Sequence, residues 1–235
     1  MNFQEGEFIY INKPYRMSSF GALAYVRTRL SKALHVKRLK TGHAGTLDPL
    51  ATGVLILCTG KATKRIESLQ LASKEYTATL QLGATTPSYD REHTVDMTYP
   101  TRYITRALIE RVLPRFVGDI QQVPPIYSAV MIDGHRAYTL ARQGSEAELK
   151  AKPIHIDEIV LTDFNPDTMQ MSIRVSCGKG TYIRSLARNI GEALGSGAFL
   201  TALCRTRLGD VRLEDCLTLD KFPAWLEQQE IEIKK

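Results

Sequence analysis

The chain has 235 residues, 43% of them hydrophobic and 24% charged, which describes an ordinary soluble globular protein with room for one sizeable core. The longest apolar run, Val54-Leu55-Ile56-Leu57-Cys58, is far too short to cross a bilayer. Residues 1–7 show no basic segment followed by an apolar one, so a cytoplasmic protein is expected. Four scattered cysteines (Cys58, Cys177, Cys204 and Cys216) form no Cys-x-x-Cys pair, which argues against a zinc ribbon and favours reduced thiols. The formal net charge is +6, compatible with a polyanionic partner. Its distribution says more: Arg27, Arg29, Lys32, Lys37, Arg38 and Lys40 come with no acid among them. A solvated basic face and an RNA-facing surface explain that run equally well.

In chain order, Phe8-Ile9-Tyr10-Ile11 reads as a strand stopped by Asn12-Lys13-Pro14. Ser18 or Ser19 caps a helix to about Leu34, with Leu23, Val26 and Leu30 at helical spacing. Asp48-Pro49 has the form of an N-cap with proline in the first helical position, so a short helical turn is expected before a buried strand at 54–58. Residues 62–71 read as helix. Between 74 and 82, Tyr76, Ala78, Leu80 and Leu82 alternate with polar residues, the pattern of a strand with one buried face. A helix is expected at 105–117. An irregular stretch at about 124–152 follows, carrying the turn Asp133-Gly134 and a basic helical piece at 135–142. Strands at 154–163 and 169–176 come next, then a helix with Ile183, Leu186, Ala187, Ile190 and Leu194 on its apolar face. Residues 199–213 read as one or two strands and about 218–229 as a short terminal helix. Strands and helices mixed without regular βαβ alternation predict an α+β fold around a mixed sheet. No repeat or linker divides the chain, so a single domain over 1–235 is expected.

Several chemistries find no support. Gly60-Lys61-Ala62 lacks P-loop spacing, no Gly-x-Gly-x-x-Gly follows a strand, and no Gly-x-Ser-x-Gly is present. His35, His43, His93, His135 and His155 are dispersed, so no metal site is expected. What remains is Gly42-His43-Ala44-Gly45-Thr46-Leu47-Asp48-Pro49, whose small residues allow a tight backbone turn and close approach of a ligand. Read alone, Asp48 is more simply a helix cap than a reactive group. A carboxylate held at an element end in a glycine-rich loop remains open as a nucleophile.

The segment from Gly42 through Leu55, containing Gly45-Thr46-Leu47-Asp48-Pro49-Leu50-Ala51-Thr52-Gly53, resembles the catalytic motif of the TruB family of tRNA pseudouridine synthases. Further blocks match in order. They are Asn12-Lys13-Pro14-Tyr15-Arg16-Met17-Ser18-Ser19 (Arg16 where glycine is usual), Gly60-Lys61-Ala62-Thr63-Lys64, Lys74-Glu75-Tyr76 and the segment from Gly83 to Asp90. Pro87-Ser88 alters the middle of that last segment. Residues 124–144, Lys179-Gly180-Thr181-Tyr182-Ile183-Arg184, and the segment from Gly195 to Arg205 complete the series.

The resemblance implies a pseudouridine synthase fold: a mixed, mainly antiparallel sheet flanked by helices around a central RNA-binding cleft. It implies isomerisation of the T-loop uridine of tRNA, without cofactor, by base flipping, glycosidic cleavage and reattachment through C5. Asp48 is then the catalytic carboxylate, Arg184 its partner arginine, and Tyr76 the aromatic platform for the flipped base. Tyr182 is expected to pack beneath Asp48 and Arg184, and Leu203 matches an apolar residue in the floor for the base. His43 matches the residue that fills the space which the base vacates. Lys64 is expected to contact phosphate, and Asp90 to order the cleft or the RNA. Arg38, Lys40, Arg136 and Arg142 are the expected RNA contacts, the last two in a mobile insertion at about 124–152. The implied partner is the T-arm of tRNA, with no membrane and no obligate protein partner, for a monomeric bacterial-type enzyme without the C-terminal PUA domain of many members. The competing reading is an RNA-binding protein or tRNA chaperone without catalysis.

Overall fold

The computed structural model describes residues 1–128, 131–132, 135–136 and 149–232, with the backbone alone at 131–132 and 135–136. In chain order the elements are β1 (Phe8–Lys13), α1 (Ser19–Ala33), β2 (Thr41–Ala44), β3 (Thr52–Thr59), a 3-10 helix (Gly60–Arg65), α2 (Ile66–Leu71), β4 (Lys74–Leu82), β5 (Ala84–Thr85) and β6 (Met97–Thr98). Then come α3 (Arg106–Val112), a second 3-10 helix (Leu113–Phe116), β7 (Gly118–Gln122), β8 (Met131–Ile132), β9 (His135–Arg136), β10 (Lys152–Asn165) and β11 (Gln170–Cys177). The chain continues through α4 (Ile183–Ala193), β12 (Ala198–Leu208), β13 (Val211–Arg212), a third 3-10 helix (Leu213–Asp215), β14 (Leu217–Thr218) and α5 (Phe222–Glu227). The chain groups into two compact units, one of residues 1–76 and 204–235, the other of 77–203. Along the chain, β4 and β12 each run from one unit into the other.

In the first unit β3 lies between β1 and the end of β12. It runs antiparallel to β1, with Ile11 opposite Leu55, and parallel to β12, with Arg205 opposite Gly53. Both faces of β3 are buried, which is why its apolar residues are consecutive. Leu55 and Leu57 join Ile9, Ile11, Val26 and Leu30 in one core cluster, completed by Phe222 of α5. Val54, Ile56 and Cys58 face a second cluster with Ala44 and Leu208. Helix α1 begins where expected: Ser18 is its N-cap, its hydroxyl accepting from the Gly21 N–H at 2.9 Å.

In the second unit β11 lies beside β10, which also pairs with β7, all antiparallel. Met171, Ile173, Val175 and Cys177 share the buried face of β11. Helix α4 buries Ile183, Leu186, Ala187 and Ile190, the apolar face expected of it. No described helix is long and apolar enough to cross a membrane.

Four expectations are corrected. Gly42-His43-Ala44 is strand β2, paired antiparallel with β3, instead of a turn. Gly42 is small because a Cβ there would stand 2.5 Å from Cδ1 of Ile66. Asp48-Pro49 starts no helix: one turn closes from the Ala51 N–H to the Asp48 carbonyl at 3.1 Å, and β3 follows at once. The helix expected at 105–117 is α only to Val112, because Pro114 brings no amide donor and the chain tightens into a 3-10 turn. The basic piece at 135–142 opens as strand β9, paired antiparallel with β8, while residues 137–142, and the expected turn at Asp133-Gly134, lie outside the described residues.

Candidate active site

The segment from Gly45 to Ala51 joins β2 to β3 and carries Asp48, half-buried, at its tip. Three buried polar side chains pin this loop. The Ser19 hydroxyl accepts from the Leu47 N–H at 2.8 Å and donates to the Leu47 carbonyl at 3.0 Å, fixing the residue before Asp48 through both of its backbone groups. The Lys13 ammonium donates to the carbonyls of Met17 at 2.6 Å, Pro14 at 3.0 Å and Pro49 at 3.3 Å, the last immediately after Asp48. Arg205 donates from Nε to the Val54 carbonyl at 2.8 Å and from its terminal nitrogen to the Gly45 carbonyl at 3.0 Å. The loop is thus held before, beside and after its carboxylate. Gly53 closes the arrangement: its φ is +104°, and a Cβ there would stand 2.2 Å from the Arg205 carbonyl, so only glycine lets β3 and β12 meet there.

The electrostatics follow from burial. Lys13 has no solvent-exposed surface, and desolvation pushes its pKa down to about 8; the charge of Asp48 opposes that fall and Arg205 adds to it. His43 sits half-buried on β2 opposite Leu57. Burial, with Arg205 contributing, lowers its pKa from the ordinary value, so its ring is neutral near pH 7. Its Nδ1 is buried without a hydrogen-bond partner among the described residues. Tyr76 is 8% exposed on the buried face of β4, as the alternation required. Lys64 is exposed on the first 3-10 helix. Arg38 and Lys40 are exposed and line a groove with Arg27.

The second unit builds a different arrangement around Arg184, the second residue of α4. Arg184 is 5% exposed, so it is no solvated residue on a polar helix face. It donates to the Tyr127 carbonyl at 2.9 Å and the Ser88 carbonyl at 3.3 Å, and its Nε lies 3.9 Å from Oδ2 of Asp90. Asp90 is itself buried, its Oδ1 accepting from the Ser88 hydroxyl at 2.6 Å and the Glu92 N–H at 2.9 Å. Asp90 therefore stands beside Arg184, and Pro87-Ser88, the stretch that departs from the family pattern, supplies two of these contacts. Tyr182 is the residue before α4; its backbone exchanges hydrogen bonds with the Gln122 side chain at 2.9 and 3.2 Å. Leu203, half-buried on β12, ends this unit. The side chain of Arg136 and all of Arg142 lie outside the described residues.

Sequence reasoning missed Lys13 and Arg205 as parts of the site. The signal for Lys13 was present: period two along β1 puts it on the buried face of Ile9 and Ile11. Among the described residues no group of three or more His, Cys, Asp or Glu could hold a metal ion.

A loop pinned on both sides of its aspartate holds that carboxylate in a fixed place. Comparisons with known proteins show the family. The model described as TruB family pseudouridylate synthase (N terminal domain) matches residues 31–183, and that of the tRNA pseudouridylate synthase B C-terminal domain matches 184–234. The chain is 61% identical to tRNA pseudouridine synthase B of Phocaeicola vulgatus over 99% of this chain and 98% of that protein. With the protein of the same name from Dechloromonas aromatica it shares 48% identity over 90% of this chain and 68% of the relative. Among solved structures, a Cbf5-Nop10-Gar1 complex matches at 29% identity and TM-score 0.68, over 96% of this chain. An H/ACA RNP bound to a substrate RNA matches at 27% identity and TM-score 0.67, over 97% of this chain. This chain spans 56% and 57% of those two chains. The chain belongs to the TruB family of pseudouridylate synthases.

Proposed function

We propose that this protein isomerises the T-loop uridine of tRNA, position 55, to pseudouridine. The reaction breaks the bond from N1 of uracil to C1′ of ribose, turns the base, and forms a bond from C5 to C1′; the proton on C5 is lost and N1 gains one. The observation that carries the proposal is the half-buried Asp48 carboxylate in a loop pinned by Ser19, Lys13 and Arg205, in a chain so similar to curated tRNA pseudouridine synthases B. The carboxylate faces the positive charge that develops at C1′ as the glycosidic bond breaks. A loop already fixed through its backbone needs little reorganisation at that moment.

The remaining roles rest on the family resemblance and on each residue's surroundings. Tyr76 supplies the platform on which the uracil ring stacks. Arg184 supplies a fixed positive charge to the reaction, with Asp90 as its positioning residue. His43, neutral, fills the space that the base leaves. Tyr182 and Leu203 wall the base, and Lys64, Arg38 and Lys40 meet RNA phosphates. The protein works in the cytoplasm as a monomer with tRNA as its partner. A T-arm stem-loop carrying 5-tritiated uridine tests the reading: tritium is released without added cofactor or metal. RNA binding with no release identifies the competing non-catalytic RNA-binding protein.

A further inference from the structure

On α1, Phe20 and Arg27 are seven residues apart and so share a face. Phe20 is 62% exposed, the most exposed of the large apolar side chains among the described residues, and the Arg27 guanidinium lies 5.7 Å from its ring centroid. Arg27 also lines a groove of about 240 Å³ with Arg38, Leu39, Lys40 and Thr41. Three cations converge on this small space, and no described carboxylate forms an ion pair with any of them. The Thr41 hydroxyl is buried without a hydrogen-bond partner among the described residues. Like charges gathered with no counter-charge leave an electrostatic cost that a bound anion removes. A hydroxyl lacking an acceptor adds a donor for an anion's oxygen.

We propose that this face of α1 and the groove beside it form an RNA clamp. An unpaired base stacks on Phe20, and an RNA backbone phosphate sits among Arg27, Arg38, Lys40 and Thr41. A groove of cations alone would suit any phosphate, but an exposed aromatic ring bridged to it by Arg27 suits a nucleotide, which carries both a flat base and a phosphate. The proposal rests on the RNA-modifying reading above and adds a subsite to it. It also divides the labour: Phe20 contributes stacking that salt barely touches, and the cations contribute counterion release.

The test measures binding of the full chain to a T-arm stem-loop and to a plain RNA duplex by fluorescence anisotropy, from low to moderate salt. Phe20→Ala weakens stem-loop binding about tenfold with the salt slope unchanged, and Phe20→Trp restores it. Phe20→Ala leaves duplex binding within twofold, because a duplex offers no unpaired base. Arg27→Gln combined with Arg38→Gln flattens the salt slope by about one for each phosphate left without its cation. A change under twofold for Phe20→Ala on the stem-loop, an equal loss on the duplex, or an unchanged slope for the double variant overturns the clamp. Wild-type protein is assayed alongside for tritium release. If it releases tritium while the variants bind as wild type does, the clamp fails alone; if it releases none, the enzymatic reading fails.

Discussion

In the first unit the carboxylate assigned to the reaction is half-exposed, while the polar groups around it, Lys13, Ser19 and Arg205, are buried and spend their hydrogen bonds on backbone carbonyls and an amide. In the second unit the assigned cation, Arg184, is itself buried, and a buried acid, Asp90, stands with it. One unit fixes a loop and leaves its functional charge approachable; the other fixes the functional charge directly. The difference matters for reading mutations. Removing Asp48 takes away the carboxylate proposed to react, whereas removing Arg184 takes a buried positive charge from beside the buried Asp90.

That contrast ranks the expected effects on stability. Arg184→Met takes the positive charge from beside buried Asp90 and the Arg184 donors from the Tyr127 and Ser88 carbonyls, and lowers unfolding free energy by about 3–5 kcal/mol, measured by urea denaturation; a loss near zero would return Arg184 to a solvated role. Arg205→Met removes two charge-assisted bonds to carbonyls and costs about 2–3 kcal/mol, with the β12–β3 junction loosened in hydrogen exchange.

Lys13 sharpens the comparison through pH. Its pKa is lowered from 10.5 to about 8 in the folded protein, so between those values the unfolded chain binds more protons than the folded one. Its contribution to stability therefore rises with pH across that window, and the penalty of burying its charge is greatest below about 8. Stability curves of wild type and Lys13→Met should converge or cross toward wild type between pH 8 and 10.5; parallel curves would show that Lys13 is not desolvated. His43→Phe is the mildest change. It replaces a neutral ring whose Nδ1 has no hydrogen-bond partner among the described residues, and stability shifts by less than about 1 kcal/mol. No acid limb from His43 should appear in the rate profile above its ordinary pKa.

Where a segment's burial follows a regular period, the sequence was easy to read. The alternation of β4 carried its bounds, and α1 announced its start at Ser18. Harder features depend on partners distant in the chain. Gly42 looked like a turn residue because nothing local reveals that Ile66 packs against it. Asp48-Pro49 looked like a helix start because the pair is a good cap; the nearby start of β3 leaves no length for a helix. The parallel pairing of β12 with β3 joins residues about 150 apart and leaves no local trace. Asp48, Tyr76 and Arg184 were singled out through ordered motifs, which suggest roles without surroundings. That Arg184 leans on Asp90, and that Lys13 and Arg205 hold the Asp48 loop, required the fold.

Asp48, proposed to react, sits in a loop pinned by Ser19, Lys13 and Arg205. Asp48→Asn keeps the size of the side chain and removes its charge, so tritium release from a 5-tritiated T-arm stem-loop and binding of the same RNA can be measured on one preparation. Release should fall by more than roughly a thousandfold while the dissociation constant stays within about threefold of wild type. Release at a comparable rate from the Asn protein would contradict that role for Asp48.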